Sequence, residues 1–131
     1  MTTFPSIEAL NVLAARCNES RAFQEAAEWA DSKIKLEVGS RPFWIKLYRG
    51  KIIDVMEYLP ASNALGYDIV IAGAESAWLK LVDVGYKSWA LISTGEIAID
   101  GNLIEANRMH EAICILLEAL STEKEGIRNV A

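Results

Sequence analysis

Apolar and polar positions repeat along this chain with two different periods, and the points where the period changes divide it into elements. Between residues 6 and about 16, Ile7, Leu10, Leu13 and Ala14 recur at helical spacing, with Pro5 just ahead of them where a missing N–H does no harm. Asn18-Glu19-Ser20 interrupts the stripe with turn chemistry, and Ser20 is suited to cap a second helix through Phe23, Ala26, Ala27 and Ala30 to about residue 31. The period then falls to two. Ile34, Leu36 and Val38 alternate with Lys33, Lys35 and Glu37, as in a strand with one buried face. After the turn Gly39-Ser40-Arg41-Pro42, a second strand directs Phe43, Ile45 and Leu47 one way and Trp44, Lys46 and Tyr48 the other. Arg49-Gly50-Lys51 reverses the chain into a third strand over residues 52–58. Connections this short allow only antiparallel neighbours, so the three strands form a meander.

A loop over residues 60–66 leads to a nearly unbroken apolar run at 67–71, suited to an interior strand and interrupted only by Asp68. Gly73 ends it. Residues 75–82 read as a short helix carrying Trp78, Leu79 and Leu81 and closed at Gly85. The apolar stretch 86–94 has no clear period, and a short helix that includes Trp89 to Ile92 is expected within it. Gly95 opens a fifth strand at 96–100, with Ile97 and Ile99 on one face. Asn102, followed three residues later by Glu105, resembles a capping box at the head of the longest helix, 103–120. Its stripe is Ala106, Met109, Ile113, Leu116, Leu117 and Leu120, and the polar tail 121–131 is expected to fray. With 131 residues and no internal repeat, the whole chain 1–131 is expected to be a single domain of α+β class.

Apolar residues together with glycine exceed the usual roughly 45–50% of a soluble chain. The surplus is either a well-filled core or the lining of a cavity or partner surface, and composition does not separate these. A formal net charge of −5 argues against nucleic acid as a partner, because phosphate binding relies on clustered Lys and Arg. The one loose basic cluster, Lys33, Lys35, Arg41, Lys46, Arg49 and Lys51, reads as solvated strand edges, with an anionic-headgroup site as the alternative. Cys17 and Cys114 are too few and too far apart for a disulfide framework or a zinc site. No stretch has the length or composition of a membrane span or a secretory leader, so the expected location is cytoplasmic.

Candidate chemistry is sparse. His110, the only histidine, lies one position off the apolar stripe of the long helix, and Cys114 one turn later sits where a thiolate would be costly. No serine occupies a nucleophile elbow. The carboxylates Asp54, Asp68, Glu75 and Asp83 could meet on folding, but nothing selects a pair. Gly73, Gly85, Gly95 and Gly101 fall at element ends and form no phosphate-binding loop. The tryptophans Trp29, Trp44, Trp78 and Trp89 are each core or site, and Trp78 and Trp89 are placed to wall one cavity.

Several segments in this order resemble one known family. They are Trp29-Ala30-Asp31 ahead of the strand of Ile34, Leu36 and Val38, then Tyr67-Asp68-Ile69-Val70-Ile71 followed by Glu75-Ser76-Ala77-Trp78-Leu79-Lys80-Leu81. Gly85 and Thr94-Gly95-Glu96-Ile97-Ala98-Ile99-Asp100-Gly101 complete the series. The chain resembles the sterol carrier protein, or non-specific lipid transfer, domain family over nearly its whole length, and a stand-alone bacterial-type member fits it better than a peroxisomal one. The resemblance implies an α+β fold: a five-stranded, mainly antiparallel sheet with helices on one face, enclosing an apolar tunnel. It implies binding and carriage or presentation of a fatty acid, acyl thioester, sterol or isoprenoid-like molecule, with no catalytic residue, metal or cofactor. Residue pattern and resemblance meet on Trp78, Leu81, Trp89, Ile92, Met109, Ile113, Leu116 and Leu117 from the covering helices, with Phe43, Ile45 and Val55 as the floor. All of these are alternatively a dry packed core. Two other classes of function stay open. One is an interaction module, homodimeric or serving an enzyme partner, anchored by Trp44 and Tyr48. The other is an enzyme on a hydrophobic substrate, for which His110 is the obvious acid or base.

Overall fold

Two serines set the first helices. Ser6 Oγ accepts the Ala9 N–H at 3.1 Å and starts α1 (Ile7–Glu19), while Ser20 Oγ accepts the Phe23 N–H at 3.2 Å and starts α2 (Arg21–Ala26). Ser20 also ends α1, its own N–H donating to Cys17 O. The computed structural model describes residues 4–58, 66–84 and 86–130, with side chains as far as residue 120. Three strands follow, β1 (Asp31–Val38), β2 (Arg41–Tyr48) and β3 (Lys51–Glu57), paired as the expected antiparallel meander. Arg49 and Gly50, at φ 45° and 85°, make a two-residue turn of the kind that matches strand twist. A register shift between Lys46 and Leu47 marks a bulge, and next to it the Asn18 side chain pairs with both the N–H and C=O of Ile52, at 2.7 and 3.0 Å.

The chain then leaves the edge of the sheet and returns on the far side of β1. β4 (Ile69–Gly73) runs parallel to β1, with Ile34 opposite Ile69, and β5 (Ile97–Gly101) pairs antiparallel with β4. The order is β3-β2-β1-β4-β5. The inner face carries Ile34, Leu36, Val38, Phe43, Ile45, Leu47, Ile69, Ile71 and Ile97, all buried. Against it lie α3 (Glu75–Leu79), a π-helical turn over Lys80–Val84, α4 (Ser88–Thr94), α5 (Leu103–Arg108) and α6 (His110–Val130). The π turn packs on α6, which also meets α1 and α2.

The structure changes several expected boundaries. The run at 67–71 becomes a strand only from Ile69 and continues to Gly73. The helix expected at 103–120 is two helices, because the backbone turns at Met109, whose φ of −99° and ψ of 11° end α5 before α6 begins. The helical backbone of α6 runs on to Val130, past the end expected at residue 120. Gly85, the loop residues 60–65 and Ala131 lie outside the described residues.

Candidate functional site

Trp78 is the largest wholly buried side chain on the covering helices. Its indole N–H donates to Glu37 O at 2.9 Å and Phe4 lies against it at 5.9 Å between ring centroids. Gly73 makes room for this arrangement, since a Cβ there would fall 2.7 Å from Glu96 O and 3.4 Å from the indole nitrogen. The π turn adds Leu81 and Val82, both buried. On α6, Ile113, Leu116, Leu117 and Leu120 form the inner stripe, and Met109 at the break between α5 and α6 is 3% exposed.

Eight of the residues singled out from the sequence therefore meet in one layer between sheet and helices: Trp78, Leu81, Met109, Ile113, Leu116, Leu117, Phe43 and Ile45. Val55 and Ile92 pack half-buried at its margin. Trp89 does not join it. It stands 67% exposed on the first turn of α4, so it shares no wall with the buried Trp78. Alternation placed Trp44 on the solvent face, and the backbone does so too, yet the side chain is only 5% exposed. Gly66 lies across that face and accepts the Trp44 indole N–H at 2.9 Å, while Tyr58 and Tyr67 flank Lys35 there at 4.9 and 5.1 Å. Trp44 is thus unavailable as the anchor of an interface, whereas Tyr48 is 40% exposed.

Two buried serines escaped the sequence reading. Ser32 occupies an inward position of β1 and donates to Glu105 Oε2; Ser88, at the start of α4, donates both its N–H and its hydroxyl to Glu118 Oε1 at 2.9 and 2.8 Å. The signal for Ser32 was present, because the even-numbered positions of β1 are the apolar ones. Asn102 caps α5 as expected, accepting from the Ile104 and Glu105 N–H groups, both at 3.1 Å. The reciprocal half of the box is not made. Glu105 instead binds Arg108 and Ser32, and the guanidinium holds its carboxyl below the usual range, with the serine hydroxyl helping.

His110 Nε2 lies 3.6 Å from Cys114 Sγ, one helical turn apart on α6. Burial raises the Cys114 thiol above its ordinary value and pushes Cys17 up to about 12, so both favour the neutral, unreactive form. A groove of about 380 Å³ opens between the last turn of α1 and α6, lined by Arg16, Cys17, Glu19, Ser20, Ile115, Glu118 and Ala119. A second depression, of about 400 Å³, lies on the outer face of β4 and β5 beside Tyr67 and Glu37. No helix among the described residues is long and apolar enough to cross a membrane.

No protein-family model matches the chain, and no curated protein matches it by sequence. Solved structures do match. A crystal structure of sterol carrier protein 2 superposes with a TM-score of 0.73 over 91% of this chain and 98% of its own, at 13% identity. The fold is that of the sterol carrier proteins. A conserved hypothetical protein of Thermus thermophilus gives a TM-score of 0.72 over 93% of this chain and 90% of its own, at 15% identity. Palmitated SCP2L2 of Aedes aegypti gives 0.54 over 80% and 90%, at 15% identity. At such identities the likeness lies in the architecture, and the site has to be argued from this chain's own residues. Within the sterol carrier fold, those residues supply an apolar layer whose buried hydroxyls, Ser32 and Ser88, already serve Glu105 and Glu118.

Proposed function

We propose that the chain binds a hydrophobic small molecule between the inner face of its sheet and its helices, and carries or presents it without transforming it. The observation that carries this reading is the composition of the layer. Trp78, Leu81, Met109, Ile113, Leu116 and Leu117 on one side face Phe43 and Ile45 on the other, with Val55 and Ile92 at the margin. A ligand taken up there would meet hydrocarbon and aromatic surface, which suits a fatty acyl chain, a sterol or an isoprenoid-like molecule. The groove between α1 and α6 is the proposed way in. Its volume of about 380 Å³ reaches Ile115 and Ala119, whose helix neighbours Leu116 and Leu120 belong to the layer.

The fold supports the reading through one relative, since the Aedes aegypti protein is described as palmitated. Chemistry on the ligand finds little support, because the His110 and Cys114 pair presents a thiol that burial keeps protonated. Native mass spectrometry of the purified chain, with titration of a fluorescent fatty acid, tests the proposal. Saturable binding of one molecule per chain is the expected result. Absence of binding in both measurements would overturn it.

A further inference from the structure

Two distant cysteines make no zinc site, but folding gives one of them a different partner. The backbone turn at Met109 starts α6 at His110, so His110 and Cys114 stand one helical turn apart on one face of that helix, with Glu118 a further turn along the same row. His110 is exposed and Cys114 half-buried, and the imidazole Nε2 lies 3.6 Å from the sulfur. That separation is the bite of a tetrahedral chelate. A zinc ion about 2.0–2.1 Å from a nitrogen and about 2.3 Å from a sulfur, at the tetrahedral angle, holds the two donor atoms about 3.6 Å apart. One ion therefore reaches both atoms at their present separation, given the histidine tautomer that carries its proton on Nδ1.

The surroundings suit a cation. After burial, the charges of Glu118 and Glu111 are what raise the Cys114 thiol, so both carboxylates act on the sulfur. Arg108, the nearest cation along the chain, is engaged by Glu105 and by the Trp29 carbonyl. The start of a helix carries positive dipole charge that opposes a bound cation, and Glu111 in the first turn of α6 offsets it. Ser88 braces the row from α4: its hydroxyl donates to Glu118 Oε1 at 2.8 Å and lies beside the same sulfur. Magnesium and calcium take cages of oxygen ligands, whereas an imidazole beside a thiolate selects a softer ion such as zinc. Among the described residues no third His, Cys, Asp or Glu completes a set of three, so the chain supplies two of the four positions and leaves two open to water or a small solute ligand.

We propose that His110 Nε2 and Cys114 Sγ chelate one zinc ion on the outer side of α6, with two coordination positions left open. Cys114 binds as the thiolate and gives its proton to solvent; no other bond is broken. The site rests on two side chains outside the apolar layer and does not require that layer to hold a ligand. The test is calorimetric titration of the tag-free full chain with zinc chloride under reducing conditions. One ion per chain is expected, bound in the micromolar range and not displaced by excess magnesium. His110→Ala and Cys114→Ser should each weaken binding about tenfold or more, since even the groups behind a metal ligand are commonly worth that much. Neither change removes a packed apolar side chain, and circular dichroism checks that both variants fold. Asp54→Asn, which removes an exposed carboxylate on the β3 edge, should bind as the parent does. Cobalt(II) in place of zinc should give a sulfur-to-metal charge-transfer band that Cys114→Ser abolishes, and bound zinc should slow alkylation of Cys114.

No binding of either metal, or equal affinity in both ligand variants, would overturn the proposal and leave the His110–Cys114 contact as a hydrogen bond only. A cobalt complex without the sulfur band would do the same, as would an equal loss in Asp54→Asn. One ion for every two chains, with a zinc-dependent dimer in light scattering, would overturn the open site in favour of a bridge between two copies.

Discussion

Truncating the inner stripe of α6 separates a layer that only holds the fold together from one that also receives a ligand. Leu117 is wholly buried and Met109 3% exposed, so Leu117→Ala and Met109→Ala each remove apolar atoms from a filled site. Lost transfer energy plus the residual cavity amounts to about 2–5 kcal/mol for such changes, and about 3 kcal/mol is a fair central value. For a chain of this length 1 kcal/mol moves Tm by roughly 3–5 °C, so each variant should melt about 9–15 °C below the parent. A ligand at a hundred times its Kd adds about 2.7 kcal/mol to the stability of whatever binds it. If the stripe lies against the ligand, losing a contact that costs tenfold in affinity removes about 1.4 kcal/mol of that increment. Met109→Ala should lower affinity for ligands of different shapes alike, because the unbranched, polarizable side chain it removes adapts to each of them. Thermal unfolding with and without fatty acid, alongside titration of a fluorescent acyl chain, measures both quantities. A full loss of stability in the free protein with an undiminished ligand increment in both variants would refute the reasoning.

Glu105 should govern part of the acid response. Its carboxyl is held below its usual range by Arg108, so the stability it contributes is complete above the unfolded value of about 4.3 and is lost as pH falls through the folded one; thermal melts of Glu105→Gln should therefore change less over that acid window than those of the parent. Cys17, buried and pushed up to about 12, should stay silent to a thiol reagent at pH 8 until denaturant is added, whereas Cys114, half-exposed, should react slowly in the native protein. Ala119→Trp should fill the groove between α1 and α6 and slow fatty acid uptake in stopped-flow fluorescence while leaving Tm nearly unchanged. Asn102→Ala removes the cap of α5 and should lower stability by about 1 kcal/mol in a denaturant titration.

Local rules made much of this architecture legible. Ser6, Ser20 and Asn102 announce helix starts, and the strict alternation from Lys33 to Val38 announces β1 and its buried face. The parallel seam between β1 and β4 was not legible, because periodicity says which face a strand buries and not which strand lies beside it. The break at Met109 was hidden for a related reason: Ala106, Met109 and Ile113 keep helical spacing across a point where the backbone leaves the helix. Trp44 and Trp89 show the same gap at the level of the site. One sits on the solvent side of its strand yet is covered by Gly66, and the other belongs to an apolar stretch yet faces water. The burial of Trp44 depends on a segment remote in sequence, which its own strand does not announce.

Strands joined by two-residue turns gain their partners from their own neighbourhood, as Val38 does from Arg41 and Tyr48 from Lys51. The other side of β1 has no such help. Ile34 meets Ile69 only after the chain has passed β2 and β3 and recrossed the sheet, and closing so long a loop costs entropy before any contact repays it. Folding order follows from this. The meander can assemble as a local ribbon, but its central strand keeps an unpaired edge until β4 arrives, and β4 in turn carries α3 and the π turn that hold Trp78 and Leu81. Closing the seam sets Trp78 and Leu81 against the inner face of the meander, and α6, which follows β5, completes the second wall of the apolar layer with Ile113, Leu116 and Leu117.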